Sequence, residues 1–190
     1  MYIWQAVQIA TKHSWNITAV QVKIHSKRHY TMLLNKQGET AENENIIIRD
    51  VEGLTLHDDQ ILPYAYWLAQ KAEIKQKLNR VAIWLDSHDD IEALSDDLSS
   101  IDLIALNFPK FGDGRAFTMA HLLQDKFNYK GEIRAIGHPI ADQAQFLFRC
   151  GVDSIDIPDA QDPTIWVKEA TRMSRFYQRS AENIAANSKY

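Results

Sequence analysis

The chain has 190 residues, 45% of them hydrophobic and 24% charged, enough apolar material for one globular domain and too much for a disordered chain. Its single cysteine, Cys150, excludes an internal disulfide and any iron–sulfur or zinc site held by several thiolates of this chain, and a formal charge of −4 speaks against nucleic-acid binding. No run reaches the ~18 consecutive apolar residues of a membrane span and no apolar signal core opens the chain, so a soluble, cytoplasmic protein is expected.

Charge is spread unevenly. Residues 1–38 hold Lys12, Lys23, Lys27, Arg28 and Lys36 and no acid, which leaves the whole negative balance to the remainder. The expected division is a loosely packed basic extension over 1–38, an α/β domain over 39–180 and a frayed tail over 181–190. Within the extension, Val20-Gln21-Val22-Lys23-Ile24 alternates as an edge strand would, while the polar stretch 36–45 reads as a linker. Residues 1–31 are therefore expected to pack little against the body.

Short strands are expected at 46–48 and 61–62, followed by a helix over 64–78 that buries Ala65, Leu68, Ala72 and Trp67. The apolar run 81–86 predicts a strand. Ser87-His88-Asp89-Asp90 then has capping-box form, with Ile91, Leu94 and Leu98 at helical spacing behind it. A second strand spans 101–108, and Ala116, Ala120, Leu123 and Phe127 make the apolar stripe of the next helix. Tyr129-Lys130-Gly131 turns the chain into a strand at 133–137. His138-Pro139 opens a helix with proline at its first position, Ile140, Ala144, Leu147 and Phe148 facing inward and Gly151 closing it. A strand at 152–157 and a helix from Asp162-Pro163, with Trp166, Ala170, Met173 and Tyr177 buried, complete the pattern. The fold class is α/β, with a parallel sheet built from about four to five consecutive βα units. Helices on both faces would make it a three-layer open sheet, and part of a barrel is the alternative.

Polar side chains collect at the predicted strand ends: Asp86, Ser87 and His88, then Asn107, Lys110, Asp113 and Arg115, then His138, then Asp156 and Asp159. In a parallel sheet these ends share one side, where ligands bind. Arg115 is the most informative, because a cation in a first helical turn opposes the macrodipole. Either a salt bridge to Asp86, Asp113 or Asp142 offsets that cost, or an anion is held by Arg115, Lys110 and the free N–H groups of the helix. Asp113 also suits the helix N-cap. Gly112-Asp113-Gly114 lacks the third glycine of a dinucleotide fingerprint and no phosphate-binding P-loop occurs, so neither NAD nor ATP is indicated. Asp142, Gln145, Phe146 and Arg149 fall on one helical stripe, an aromatic among charges that reads as a partner surface or as a face covered by a neighbouring element. Cys150 reads as packing, and the histidines show no metal-ligand spacing.

Phe108-Pro-Lys-Phe-Gly-Asp-Gly-Arg115, Gly131-Glu-Ile-Arg-Ala-Ile-Gly137, Asp142-Gln143 and Phe148-Arg-Cys-Gly-Val-Asp153 together resemble a bacterial family of unknown function described as a probable oxidoreductase involved in sulfite reduction. The resemblance spans about residues 45–180. It implies a place in assimilatory sulfate reduction beside sulfite reductase and the reductase of adenylylated sulfate. Carried over by position, Lys110, Asp113, Arg115, Asp142 and Arg149 match, whereas the family often has a small or acidic residue where His138-Pro139 stands here. The chain has no flavin or nicotinamide fingerprint, so a redox step would need a borrowed cofactor. The reading is an accessory protein or oxidoreductase that binds an oxyanion or anionic intermediate at Asn107, Lys110, Asp113, Arg115, His138 and Asp142. The alternative is a module without activity that docks on one of those reductases through Gln145, Phe146 and Arg149.

Overall fold

The computed structural model describes residues 31–176. The strand expected at 20–24, the body of the basic extension, the tail and Tyr177 lie outside the described residues. Eight strands form one sheet: β1 (Met32–Asn35), β2 (Thr40–Glu42), β3 (Ile46–Ile47), β4 (Gln60–Pro63), β5 (Ala82–Leu85), β6 (Leu103–Phe108), β7 (Glu132–Gly137) and β8 (Ser154–Ile157). Four helices accompany them: α1 (Tyr64–Lys77), α2 (Arg115–Asp125), α3 (Ala144–Arg149) and α4 (Pro163–Ala170).

The strand order is β2-β1-β8-β7-β6-β5-β4-β3 and the sheet curls into a half-barrel. From β3 to β8 neighbours are parallel, but β1 is antiparallel to both β8 and β2. The sheet is therefore mixed where a wholly parallel one was expected. The faces follow the partial-barrel alternative and correct the three-layer one. Strands that follow one another in space as in sequence, joined by crossovers of one hand, send every helix to the same side. Leu62, Ile83, Leu106, Ala135 and Ile155 accordingly pack with Trp67, Ala120, Leu123, Leu147 and Trp166 of the helices. The alternate residues Ile61, Ala82, Leu103, Ala105 and Ile136, with Ile47 and Trp84, form a separate cluster on the inner face. Two-residue alternation along fully buried strands produces the two layers.

The polar stretch expected to be a linker is part of the sheet. Asn35 Oδ1 accepts from the backbone N–H groups of Gln37 (3.0 Å) and Glu39 (2.9 Å), and Gly38 at φ +80° completes a turn joining β1 to β2. Residues 32–38 of the basic segment thus belong to the body, and Leu34 is fully buried. β2 and β3 lie at opposite edges of the sheet, yet only residues 43–45 separate them in the chain. A chain covers at most ~3.6 Å per residue, so the two edges approach to within ~14 Å. That connection is what curls the sheet.

Local differences from the sequence reading have local causes. On α1 the buried residues are Tyr64, Trp67 and Ile74, while Leu68 is 43% exposed and Ala65 and Ala72 face solvent. Gln70 leaves helical geometry (φ −126°), which rotates the later turns away from the expected stripe. Ile91, Leu94 and Leu98 are buried, but on two 3₁₀ turns (Glu92–Leu94 and Leu98–Ser100) instead of an α-helix. The capping box is absent because Ser87 is used elsewhere. Pro139 does not start a helix: Ile140 is extended, a 3₁₀ turn covers Ala141–Gln143, and α3 begins at Ala144. Gly151 at φ +104° ends that segment as expected. Asp162 caps α4 by accepting from Thr164 N–H at 2.9 Å, but α4 stops at Ala170 and Met173 is 54% exposed.

Candidate functional site

The carboxyl ends of β5 and β6 bring Asp86, Ser87, Asn107, Asp113 and Arg115 together. Asn107, the fifth residue of β6, is 9% exposed and donates from Nδ2 to Asp86 Oδ1 at 2.9 Å. Asp86 Oδ1 also accepts from Ser87 N–H, and Asp86 N–H donates to Asp89 Oδ2 at 2.7 Å, so the turn after β5 is fixed by its own carboxylates. Ser87 is 6% exposed, and its Oγ donates to Asp113 Oδ2 at 2.7 Å and accepts from Arg115 Nη2 at 2.9 Å. Arg115 grips Asp113 side-on: Nε to Oδ1 is 3.0 Å and Nη2 to Oδ2 is 2.7 Å.

This settles what offsets the arginine at the start of α2: its partner is Asp113, neither Asp86 nor Asp142. Gly114, not Asp113, is the N-cap, although Asp113 Oδ1 still accepts the N–H of Arg115 at 3.2 Å. Arg115, followed by Ser87, holds the Asp113 carboxyl far below the usual carboxylate range, and Asp113 raises the guanidinium in return. The Asp113 side chain is 9% exposed and that of Arg115 60%, so the cation is anchored at one edge and open to solvent at the other. Because Asp113 is depressed on folding, its stabilising contribution is present above the ordinary carboxyl pKa and is lost as pH falls towards the folded value. Acid melts should therefore separate wild type from Asp113→Asn at neutral pH and bring them together in strong acid. A constant gap across that range would remove the pair from the stability account.

Lys110 and His138 stand exposed on the neighbouring loops, and Asp142 is exposed beyond them. Among the described residues, their side chains make no hydrogen bond or ion pair. The backbone N–H of His138 donates to Phe108 O at 2.8 Å, which ties the β6 and β7 ends together. The second group forms a separate surface. Gln145 Nε2 donates to Met173 O at 2.7 Å, Arg149 lies 4.4 Å from the Phe176 ring centre, and Phe146 meets Phe117 at 5.0 Å. Phe117 in turn contacts Phe108 at the end of β6 at 5.0 Å. Phe146 remains 50% exposed and Phe111, on the 110–115 loop, 70%. Cys150 is half-buried, and burial pushes its thiol pKa up, which suits packing better than nucleophilic chemistry. Among the described residues no group of three metal-ligating side chains occurs.

Sequence reasoning missed a polar network on the inner face. Arg134 is 3% exposed; its Nε and Nη2 bind Glu132 Oε1 (2.9 and 2.7 Å), and Nε also reaches Ser154 Oγ. Its Nη1 donates to Asn43 Oδ1 (3.2 Å) and Asn45 Oδ1 (2.9 Å), the two asparagines of the connection between β2 and β3. The signal was present in Glu132-x-Arg134, a same-face acid–base pair inside an apolar strand. Asp156 lies on this face too, since Ile155 and Ile157 on either side join the helix-side core. It is 8% exposed and its Oδ1 has no hydrogen-bond partner.

Burial raises the Asp156 pKa above the ordinary carboxyl value, against the opposing pull of Thr31, Arg134 and Asn43. A raised folded-state carboxyl contributes stability below its unfolded pKa and loses it as pH rises through the folded pKa. Asp156→Asn should thus melt above wild type at neutral pH, with a gain that vanishes in acid. A variant that melts lower at neutral pH would show that the charged form is the one the fold prefers.

No curated protein and no solved structure matches the chain. One family model does, over residues 82–187, a span that takes in β5 to α4 and every strand-end residue from Asp86 to Asp156 and leaves out the hairpin and the Asn43–Asn45 partners of Arg134. By that match, which covers more than half of its length, the chain belongs to the family described as bacterial protein of unknown function (DUF934).

Proposed function

We propose that the protein is an accessory factor of assimilatory sulfate or sulfite reduction that binds an oxyanion or anionic intermediate beside the 110–115 loop. The observation carrying this reading is the Arg115 guanidinium, positioned by Asp113 and Ser87 at the carboxyl ends of the strands yet 60% exposed. A fixed, half-open guanidinium offers a planar donor edge to sulfite, sulfate or a sulfuryl group, and Lys110 adds charge on the same loop. The link to sulfur rests on the resemblance of 108–115, 131–137 and 148–153 to the sulfite-reduction family. No redox step is assigned to the side chains themselves.

Titration with sulfite, sulfate and adenylylated sulfate tests the site, and growth of a deletion strain on sulfate, sulfite or sulfide tests the pathway. Arg115→Ala should abolish complementation on sulfate while lowering the melting temperature by only a few degrees, because the guanidinium is 60% exposed and Asp113 keeps the Ser87 hydroxyl as a donor. Arg115→Lys should rescue poorly, since an ammonium cannot reproduce the two-point contact. A variant that grows normally but melts far lower would make Arg115 a purely structural partner of Asp113.

A second reading is favoured by Phe146 and Phe111, large aromatics left in solvent. On it the protein docks on sulfite reductase or the adenylyl-sulfate reductase without binding an anion itself. Phe146→Glu should then abolish co-purification with the reductase while Arg115→Ala leaves it intact.

A further inference from the structure

The sheet register sets four side chains in one row across adjacent strands at the carboxyl end of the inner face. Leu85 pairs with Leu106 and Asn107 with Ile136, while Ala135 pairs with Ile155. The next step along each strand gives the row Asp86, Asn107, Ile136, Asp156. The bond from Asn107 Nδ2 to Asp86 Oδ1 confirms its first members. Inner-face apolar residues Trp84, Ala105 and Leu103 lie below it. Helices cover the other side, so the row forms the inner rim of the mouth, the place where curled βα sheets receive ligands.

The rim is rich in acceptors, and the donors that reach Asp156, Thr31 and Asn43, leave its Oδ1 unused. Asp156 is 8% exposed with Oδ1 unpartnered, and Asn107, 9% exposed, spends its Nδ2 on Asp86 Oδ1. The nearest cation on this face, Arg134, is engaged by Glu132, Ser154, Asn43 and Asn45. A buried carboxyl oxygen without a partner is costly, and a ligand that donates to it removes the cost. His88 Nδ1 lies 3.9 Å from Asp86 Oδ2, but no group of three metal-ligating side chains forms among the described residues, which disfavours a metal ion.

We propose that this inner rim binds the ammonium group of a small organic amine, with Asp156 as its ion-pair partner and Asn107 as a second acceptor. The site is separate from the Arg115 guanidinium and does not depend on the oxyanion reading. Methylammonium and ethanolamine are suitable probes, and tetramethylammonium, which has the charge but no N–H, is the control. Titrated into the full chain at millimolar concentration, ethanolamine should raise the melting temperature and shift the backbone amide resonances of Asn107 and Asp156. Tetramethylammonium should do neither. Asp156→Asn should weaken ethanolamine binding at least about tenfold, as expected when a charge-assisted bond is lost. If that variant fails to fold, the wild-type contrast between ethanolamine and its N-acetylated form decides, because acetylation removes the charge. Absence of any shift at these two amides, an equal response to tetramethylammonium, or unchanged binding by Asp156→Asn overturns the assignment.

Discussion

Arg134→Ala should lower the stability of the fold by about 3 kcal/mol or more, the cost of breaking a buried ion pair from one side. The substitution strands Glu132, which Ser154 Oγ contacts at 2.6 Å, and removes the bonds from Arg134 to Asn43 and Asn45 in the connection between the edge strands. Arg134→Lys should recover only part of the loss, since one ammonium cannot reach Glu132, Ser154, Asn43 and Asn45 together. Removing Glu132 and Arg134 together should cost less than the sum of the single losses, because no lone buried charge remains. Equilibrium denaturant unfolding measures all of these. A loss of a few tenths of a kcal/mol for Arg134→Ala would mean that the β2–β3 connection is held without Arg134, by its backbone and the bonds of Asn43 and Asn45 to Thr31 and Asp59.

Gly137→Ala is expected to be the most damaging change at the mouth. The residue has φ +91°, and a Cβ there would lie 2.4 Å from Asn107 Oδ1 and 2.8 Å from Phe108 O. The left-handed backbone alone costs a non-glycine residue about 1–3 kcal/mol, and the Phe108 carbonyl cannot move without breaking its bond to His138 N–H. Gly151→Ala is the natural comparison. It also has positive φ, at +104°, but its new Cβ would meet mainly the flexible end of Gln124, at 2.3 Å from Cγ. Thermal melts should therefore rank Gly137→Ala below Gly151→Ala, and the Asn107 side-chain amide resonances should shift only in the former. The reverse order would place the tight packing at the end of α3.

The strands β3 to β8 and the helices α2 and α4 were legible because their apolar runs are bounded by glycine, proline and capping residues. Hairpin residues 36–45 were not. β2 is exposed throughout, so no alternation marks it, and its turn rests on Asn35 accepting from two amides. The helix expected after Ser87 failed for a tertiary reason: the hydroxyl that would cap it is bonded to Asp113 and Arg115, 26 and 28 residues further on. Helices on a single face follow from strand order, which periodicity does not encode. At the candidate site, the loop carrying Asp113 and Arg115 could be read from its composition. Asp156 was read as a strand-end residue but not as a buried one, and Arg134 escaped, because a charged residue in a strand reads as solvent-facing until the curl of the sheet encloses it.

Because β1 sits between β2 and β8, a strand made early can find its second neighbour only when almost the whole described chain exists. The β3–β7 run assembles from contacts between successive units, which are short in sequence and quickly formed, whereas the β1–β8 pairing closes a very long loop. On a ribosome the β1–β2 hairpin therefore emerges well before its partner strand and waits, with the face of Leu34 that β8 will cover and one strand edge unpaired, until β8 is released. The slowest and most aggregation-exposed step in assembling the described sheet is the docking of β1 onto β8.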